Sequence, residues 1–265
     1  MNVNCVVFNV EKLELPKNLY PARWWHALEN NEVECFLCPR HCRLKNGKRG
    51  VCRVRTNIEG RLFSEVYGKP IAIHVDPIEK KPLYHFQPGS RIFSIGTAGC
   101  NLQCEFCQNW DISTADGHLG MGRIVQPAEI VQSAIDNQCG SIAFTYNEPT
   151  IFGEYVVDIA KIAHQSNLKT VTVTNGYITQ EAIADIYPLI DAANIDLKSM
   201  NADFYRKRCH AELTPVLEAI VAIQKVGTFI ELTTLLIPGL NDSEGEIQKL
   251  CDWILDNLGN DTPLH

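Results

Sequence analysis

The chain has 265 residues, 45 % of them hydrophobic and 21 % charged, with a formal net charge of −7. A globally acidic protein is a poor non-specific binder of nucleic acid, and no apolar run approaches the ~18 residues of a membrane span. Residues 1–11 lack the basic n-region and apolar length of a signal peptide, which makes the cytoplasm the expected compartment.

In chain order, the first informative segment is Cys35-Phe-Leu-Cys38-Pro-Arg-His-Cys42, followed by Cys52, a C-x2-C-x3-C-x9-C array. Four thiolates close a tetrahedral zinc site and equally suit a [4Fe–4S] cluster. Seven of the eleven cysteines fall into two tight groups, which points to metal rather than disulfides. Few large apolar residues lie between positions 30 and 60, so a unit of that size is expected to depend on its metal. His41 is a candidate replacement ligand, though a solvent-facing loop is its simpler fate. Residues 40–55 carry seven Arg or Lys and no acid, which reads as a solvated basic loop. We divide the chain into a cysteine-rich segment at 1–60, a connecting segment at 61–90 and a main domain at 91–265. The scattered Cys5, Cys139, Cys209 and Cys251 are expected as buried apolar thiols.

From residue 91 strand and helix patterns alternate. Strands are predicted at 91–96, 141–146, 170–174, 192–197 and 229–237. Helices are predicted from Pro127, over 153–166 and from Thr179. Thr214-Pro215 reads as a cap and first helical residue for a helix stopping at Gly227, and Ser243-Glu-Gly-Glu246 as a capping box before a helix ended by Gly259. Alternation of this kind implies right-handed crossovers and a parallel sheet, either an open doubly wound sheet or a full or partial barrel.

In such α/β architectures ligand-binding residues gather at the carboxyl ends of the strands. The first strand runs through Gly99 into Cys100-Asn-Leu-Gln-Cys104-Glu-Phe106-Cys107. Three thiolates on one tight loop can hold three irons of a [4Fe–4S] cluster and leave the fourth iron without a protein ligand. The second strand ends at Thr145-Tyr-Asn-Glu148-Pro149, where a carboxylate suits an ammonium group and the alternative is a plain turn. The third ends at Thr174-Asn175-Gly176, whose amide can donate and accept. Asp196-Leu-Lys198 ends the fourth as a functional or merely structural ion pair. Leu235-Leu-Ile-Pro-Gly-Leu-Asn-Asp242 ends the fifth, and its apolar residues are expected in the core.

The C-x3-C-x2-C spacing with its Phe106 resembles the signature of the radical S-adenosylmethionine (radical SAM) superfamily. That resemblance implies a partial (β/α)6 radical SAM barrel, with residues 263–265 as the start of a sixth strand at which the chain is apparently truncated. It implies a [4Fe–4S] cluster on Cys100, Cys104 and Cys107, with Phe106 packed nearby. SAM would meet Glu148 through its amino group, Lys198 oriented by Asp196 through its carboxylate, Asn175 through its ribose and Gln108-Asn-Trp-Asp111 through its adenine. Tyr146-Asn147 stands where the superfamily's Gly-Gly-Glu motif has two glycines. The implied reaction is reductive cleavage of SAM to a 5′-deoxyadenosyl radical, which takes hydrogen from an unidentified protein or small molecule. A flavodoxin or ferredoxin would supply the electron.

The cysteine module, Tyr67-Gly-Lys-Pro70, the run from His74 to His85 and the cysteine loop together resemble the AmmeMemoRadiSam-system branch, a relative of pyruvate formate-lyase activating enzyme. This implies a Memo-like partner, and it places Cys209 as a substrate-side thiol or as inert packing. The alternatives are a glycyl-radical-enzyme activase and a metal-stabilised RNA-binding or scaffold protein built on Cys35 to Cys52.

Overall fold

The computed structural model describes residues 19–117 and 123–265; Cys5 and residues 1–11 lie outside them. Strands β1 (Tyr20–Pro21), β2 (Trp25–Ala27), β3 (Val33–Cys35), β4 (Cys42–Leu44), β5 (Arg55–Ile58) and β6 (Arg61–Ser64) form two small antiparallel sheets, ordered β1-β6-β5 and β2-β3-β4. The main sheet comprises β7 (Ala72–Pro77), β8 (Arg91–Gly96), β9 (Ser141–Phe144), β10 (Lys169–Thr174), β11 (Ala192–Asp196) and β12 (Phe229–Thr233), side by side in chain order. The last five are mutually parallel, and β7 runs antiparallel to β8 at one edge. All four residues of β9 are buried, as expected of a parallel strand covered on both faces.

Helices α1 (Trp110–Ser113), α2 (Pro127–Asp136), α3 (Gly153–Gln165), α4 (Gln180–Ile186), α5 (Ala202–Phe204), α6 (Leu213–Val226) and α7 (Glu244–Asn257) supply the crossovers. A π-helical turn, Tyr205–Cys209, continues α5. Beyond β12, Leu264 bridges Leu232 in parallel sense, with Leu232 N–H donating to the Pro263 carbonyl at 2.8 Å. Leu264 thus takes a parallel place beside β12 through one isolated bridge, and the molecule is an α/β fold with the parallel sheet of a partial barrel. Among the described residues no helix is long and apolar enough to cross a membrane.

Several local expectations fail for identifiable reasons. The chain leaves the sheet after Thr233 because Asn241 takes the Ile237 N–H and donates to the carbonyls of Leu235 and Lys198. Leu235 and Leu236 are consequently 47 % and 50 % exposed rather than core residues. Helix α6 begins at Leu213 after Glu212, which makes no side-chain cap, so Thr214 and Pro215 lie inside its first turn. Ser243 caps the Glu246 N–H, but the Glu246 carboxylate turns instead to the Ser199 hydroxyl and the Met200 N–H, leaving the capping box half formed. Gly259 follows α7 in the left-handed conformation expected of it. Cys139 and Cys209 are buried, whereas Cys251 is only half-buried.

The amino-terminal module and the barrel share one apolar core, in which Val33, Leu37 and Trp24 join Ile151, Phe152 and Ile183. A buried ion pair fastens them: Arg55 of β5 meets Glu154 of α3 at 2.9 Å, both 1 % exposed. Arg55 thus departs from the solvated basic loop expected at 40–55. At the other end of the sheet, Ile78, Leu83 and Phe86 pack on Ile92, Ala143, Val171 and Ala192 and plug the barrel beneath its amino-terminal strand ends.

Candidate cluster and cofactor site

The loop after β8 is held before its cysteines begin. Asn147, which follows β9, accepts the Thr97 N–H at 3.1 Å and donates to the Gly99 carbonyl at 2.8 Å. Gly99 has φ +89°, and a Cβ there would lie 2.5 Å from the Cys52 carbonyl oxygen, so only glycine lets the loop press against the amino-terminal module. Cys100, Cys104 and Cys107 emerge from this anchor half-buried.

Desolvation pushes the Cys100 thiol up, followed by the field of Glu148 and, to a smaller extent, by Cys104 and Cys107. Cys100 Sγ accepts from Leu102 N–H at 3.4 Å and from Asn175 Nδ2 at 3.7 Å, contacts that favour a thiolate. Cys104 is pulled down by a hydrogen bond from Cys209 and, despite its burial, also by Lys198. Soft sulfur donors of this number on one loop fit three irons of a cluster. Phe106 packs against Phe204 with ring centroids 5.6 Å apart.

The other predicted positions surround this loop. Glu148 is buried beside Cys100, and burial pushes its carboxyl up. Its oxygens accept from Thr150 N–H and hydroxyl, the Thr174 hydroxyl and Asn175 N–H at 2.6–2.9 Å. The carboxylate therefore joins the ends of β9 and β10. The Asn175 side chain donates to Asn101 Oδ1 at 2.9 Å and accepts from Tyr177 N–H at 2.8 Å. Lys198 pairs with Asp196 at 2.9 Å. Burial would lower the Lys198 ammonium, but Asp196 and Cys104 outweigh it and hold the charge firmly. Trp110 of the 108–111 segment is 66 % exposed.

No local sequence pattern marks Asn101 or Asn147, although one lies within the cysteine octet and the other next to Glu148. Asn101 is fully buried and donates to the Tyr177 carbonyl at 2.6 Å. Its own carbonyl accepts from Arg40 Nε at 3.0 Å, which brings the module's basic loop onto the cysteine loop. Cys209, fully buried, places its thiol against Cys104.

The four module cysteines also converge. Cys35, Cys38, Cys42 and Cys52 line one cavity with Arg55. Cys38, Cys42 and Cys52 are all pushed up by burial first and by the neighbouring thiols in part, Cys52 to about 12. His41 instead turns to Glu34, Nδ1 to Oε1 at 3.3 Å.

Residues 94–253 match the Radical SAM superfamily. An uncharacterized protein of Methanocaldococcus jannaschii is 43 % identical over 244 residues, 92 % of this chain and 72 % of that protein. The pyruvate formate-lyase-activating enzyme of Clostridium pasteurianum is 24 % identical over 168 residues, 61 % of this chain and 68 % of that one. A radical SAM methyltransferase structure from Sphaerobacter thermophilus superposes with a TM-score of 0.50 at 17 % identity, covering 94 % of this chain and 65 % of that one, a likeness of fold alone.

Proposed function

Because the chain belongs to the radical SAM superfamily, we propose that it is an enzyme cleaving SAM at a [4Fe–4S] cluster held by Cys100, Cys104 and Cys107, and that it directs the resulting radical at a protein or small-molecule substrate. The observation that carries this reading is the placement of three half-buried thiols on the one loop that follows β8, with the field of the Lys198 ammonium acting on Cys104. When bound, the cluster supplies the electron that breaks the sulfonium to give methionine and the 5′-deoxyadenosyl radical.

The chain's own residues do the positioning. Lys198, kept cationic by Asp196, offers a charge-assisted partner to the SAM carboxylate. Glu148 sets a negative potential beside Cys100 that suits the amino group, and it fixes Asn175 at the ribose side. Phe106 and Phe204 exclude water from one flank of the cysteine loop. Cys35, Cys38, Cys42 and Cys52 hold a second metal centre, zinc or [4Fe–4S], and the Arg55 cation offsets part of its thiolate charge. The protein works in the cytoplasm with a flavodoxin- or ferredoxin-class reductant and a Memo-like partner.

The relative that activates pyruvate formate-lyase favours one specific second reading, abstraction of hydrogen from a glycyl-radical enzyme. A scaffold or RNA-binding role has less support, because three thiols leave an iron open and a scaffold has no use for it. The test is anaerobic reconstitution with iron and sulfide, followed by reduction in the presence of SAM. Wild-type protein should release 5′-deoxyadenosine, measured by mass spectrometry, and the Cys100→Ala, Cys104→Ala, Cys107→Ala triple variant should release none. A triple variant that still cleaves SAM would sink the proposal.

A further inference from the structure

A third set of ligand-type side chains lies outside both cysteine sites. We propose that His85, Glu231 and His265 form a site for a divalent first-row cation of the zinc class, which pins the plug under the barrel to β12 and to the segment 263–265 that pairs with it.

Glu231 is 0 % exposed, and among the described residues its ion pairs are with two imidazoles, His85 and His265. A buried carboxylate needs a compensating cation or strong hydrogen bonds. Its Oε1 is used by the N–H groups of His85 and Phe86, at 2.9 and 3.2 Å. Its Oε2 takes Tyr84 N–H at 3.1 Å and also faces His85 Nδ1 at 3.2 Å and His265 Nε2 at 2.6 Å. Two ring nitrogens thus converge on one oxygen, and the three ligand atoms all lie within 4.8 Å of one another. Zinc bonds of about 2.0–2.2 Å in tetrahedral geometry separate neighbouring ligand atoms by roughly 3.4 Å, which a small relaxation of these groups supplies. Two imidazoles and a carboxylate are also a chemically suitable donor set for zinc, with a fourth position left for water.

The framework holds the ligands in place from three directions. Glu231 projects from β12, and His85 sits in the plug that packs on Ile92 and Ala192. His265 is fixed by the backbone bonds of residues 263–265 to Leu232 and Thr234. The His85 and His265 rings stack with centroids 5.8 Å apart. His85 keeps 56 % of its side chain exposed, which gives an ion an entry path.

The test uses the cluster-reconstituted chain dialysed against micromolar zinc, with zinc counted per chain and its ligands read by zinc K-edge absorption. Nitrogen and oxygen scatterers at about 2.0–2.1 Å mark this site, and sulfur at about 2.3 Å marks any zinc on the cysteines. Wild-type protein should show the nitrogen and oxygen shell, and His85→Ala should lose about one zinc per chain together with that shell. Glu231→Gln should do the same, and if its buried position prevents folding, the half-exposed His85 still decides the question. Equal zinc in wild type and His85→Ala, or a purely sulfur shell in wild type, overturns the proposal.

Discussion

Two cysteine sites meet across the Gly99–Cys52 contact, and they are built in opposite ways. The module gathers four thiols, three of them buried, around one cavity beside a buried arginine. The barrel loop gathers three thiols, all half-buried, at the open end of the strands. A closed four-sulfur site leaves a metal nowhere to bind substrate, whereas a three-sulfur site leaves a position free for chemistry. On the proposed assignment, a centre that holds structure and one that reacts lie against each other.

The sharpest way to break that comparison is to remove the closed site. Structural metal binding is worth on the order of 10 kcal/mol in small cysteine modules, so Cys38→Ser with Cys52→Ser should cost the module its metal and most of its ordered structure. Metal analysis should then find either one zinc or about four irons missing, while the Cys100 loop still assembles a cluster in the soluble fraction. Full metal content and an unchanged melting temperature would make the module a reactive-thiol site instead.

A smaller effect tests how the two halves are joined. Glu154→Ala leaves Arg55 buried with its charge unpaired, which costs about 3–5 kcal/mol for a broken buried pair. Denaturant unfolding should show that loss. Replacing both residues by apolar ones of similar volume should recover much of it. A loss below about 1 kcal/mol for Glu154→Ala would mean that the module is held by its apolar contacts with Ile151 and Phe152 rather than by the pair.

These sites differ in how legible they are in the sequence. The cysteine loop could be placed because its octet is local and follows an alternating apolar run, and the same holds for the strand ends at Thr174 and Asp196. The edge strand Ala72–Pro77 has no such local signature, because it lies in a proline-punctuated stretch and owes its existence to pairing with β8. The half-formed capping box at Ser243 has the same origin, since Glu246 finds better partners in Ser199 and Met200. Arg55 and Glu154 stand 99 positions apart along the chain, Glu231 and His85 stand 146 apart, and Glu231 and His265 stand 34 apart. No local pattern announces such pairs, because the fold alone brings them together.

The smallest effect falls on the junction between the two sites. Gly99 combines a left-handed backbone with a position where a Cβ would lie 2.5 Å from the Cys52 carbonyl and 2.7 Å from Val54. Gly99→Ala therefore adds backbone strain of about 1–3 kcal/mol and forces the loop away from the module. Asn147, which holds the Gly99 carbonyl, resists that movement, so part of the strain should pass to Cys100. Lower thermal stability together with fewer irons on the Cys100 loop would show that the sites share one scaffold. If stability falls while cluster loading stays at the wild-type level, the contact is only a packing boundary, and the open site assembles independently of the closed one beside it.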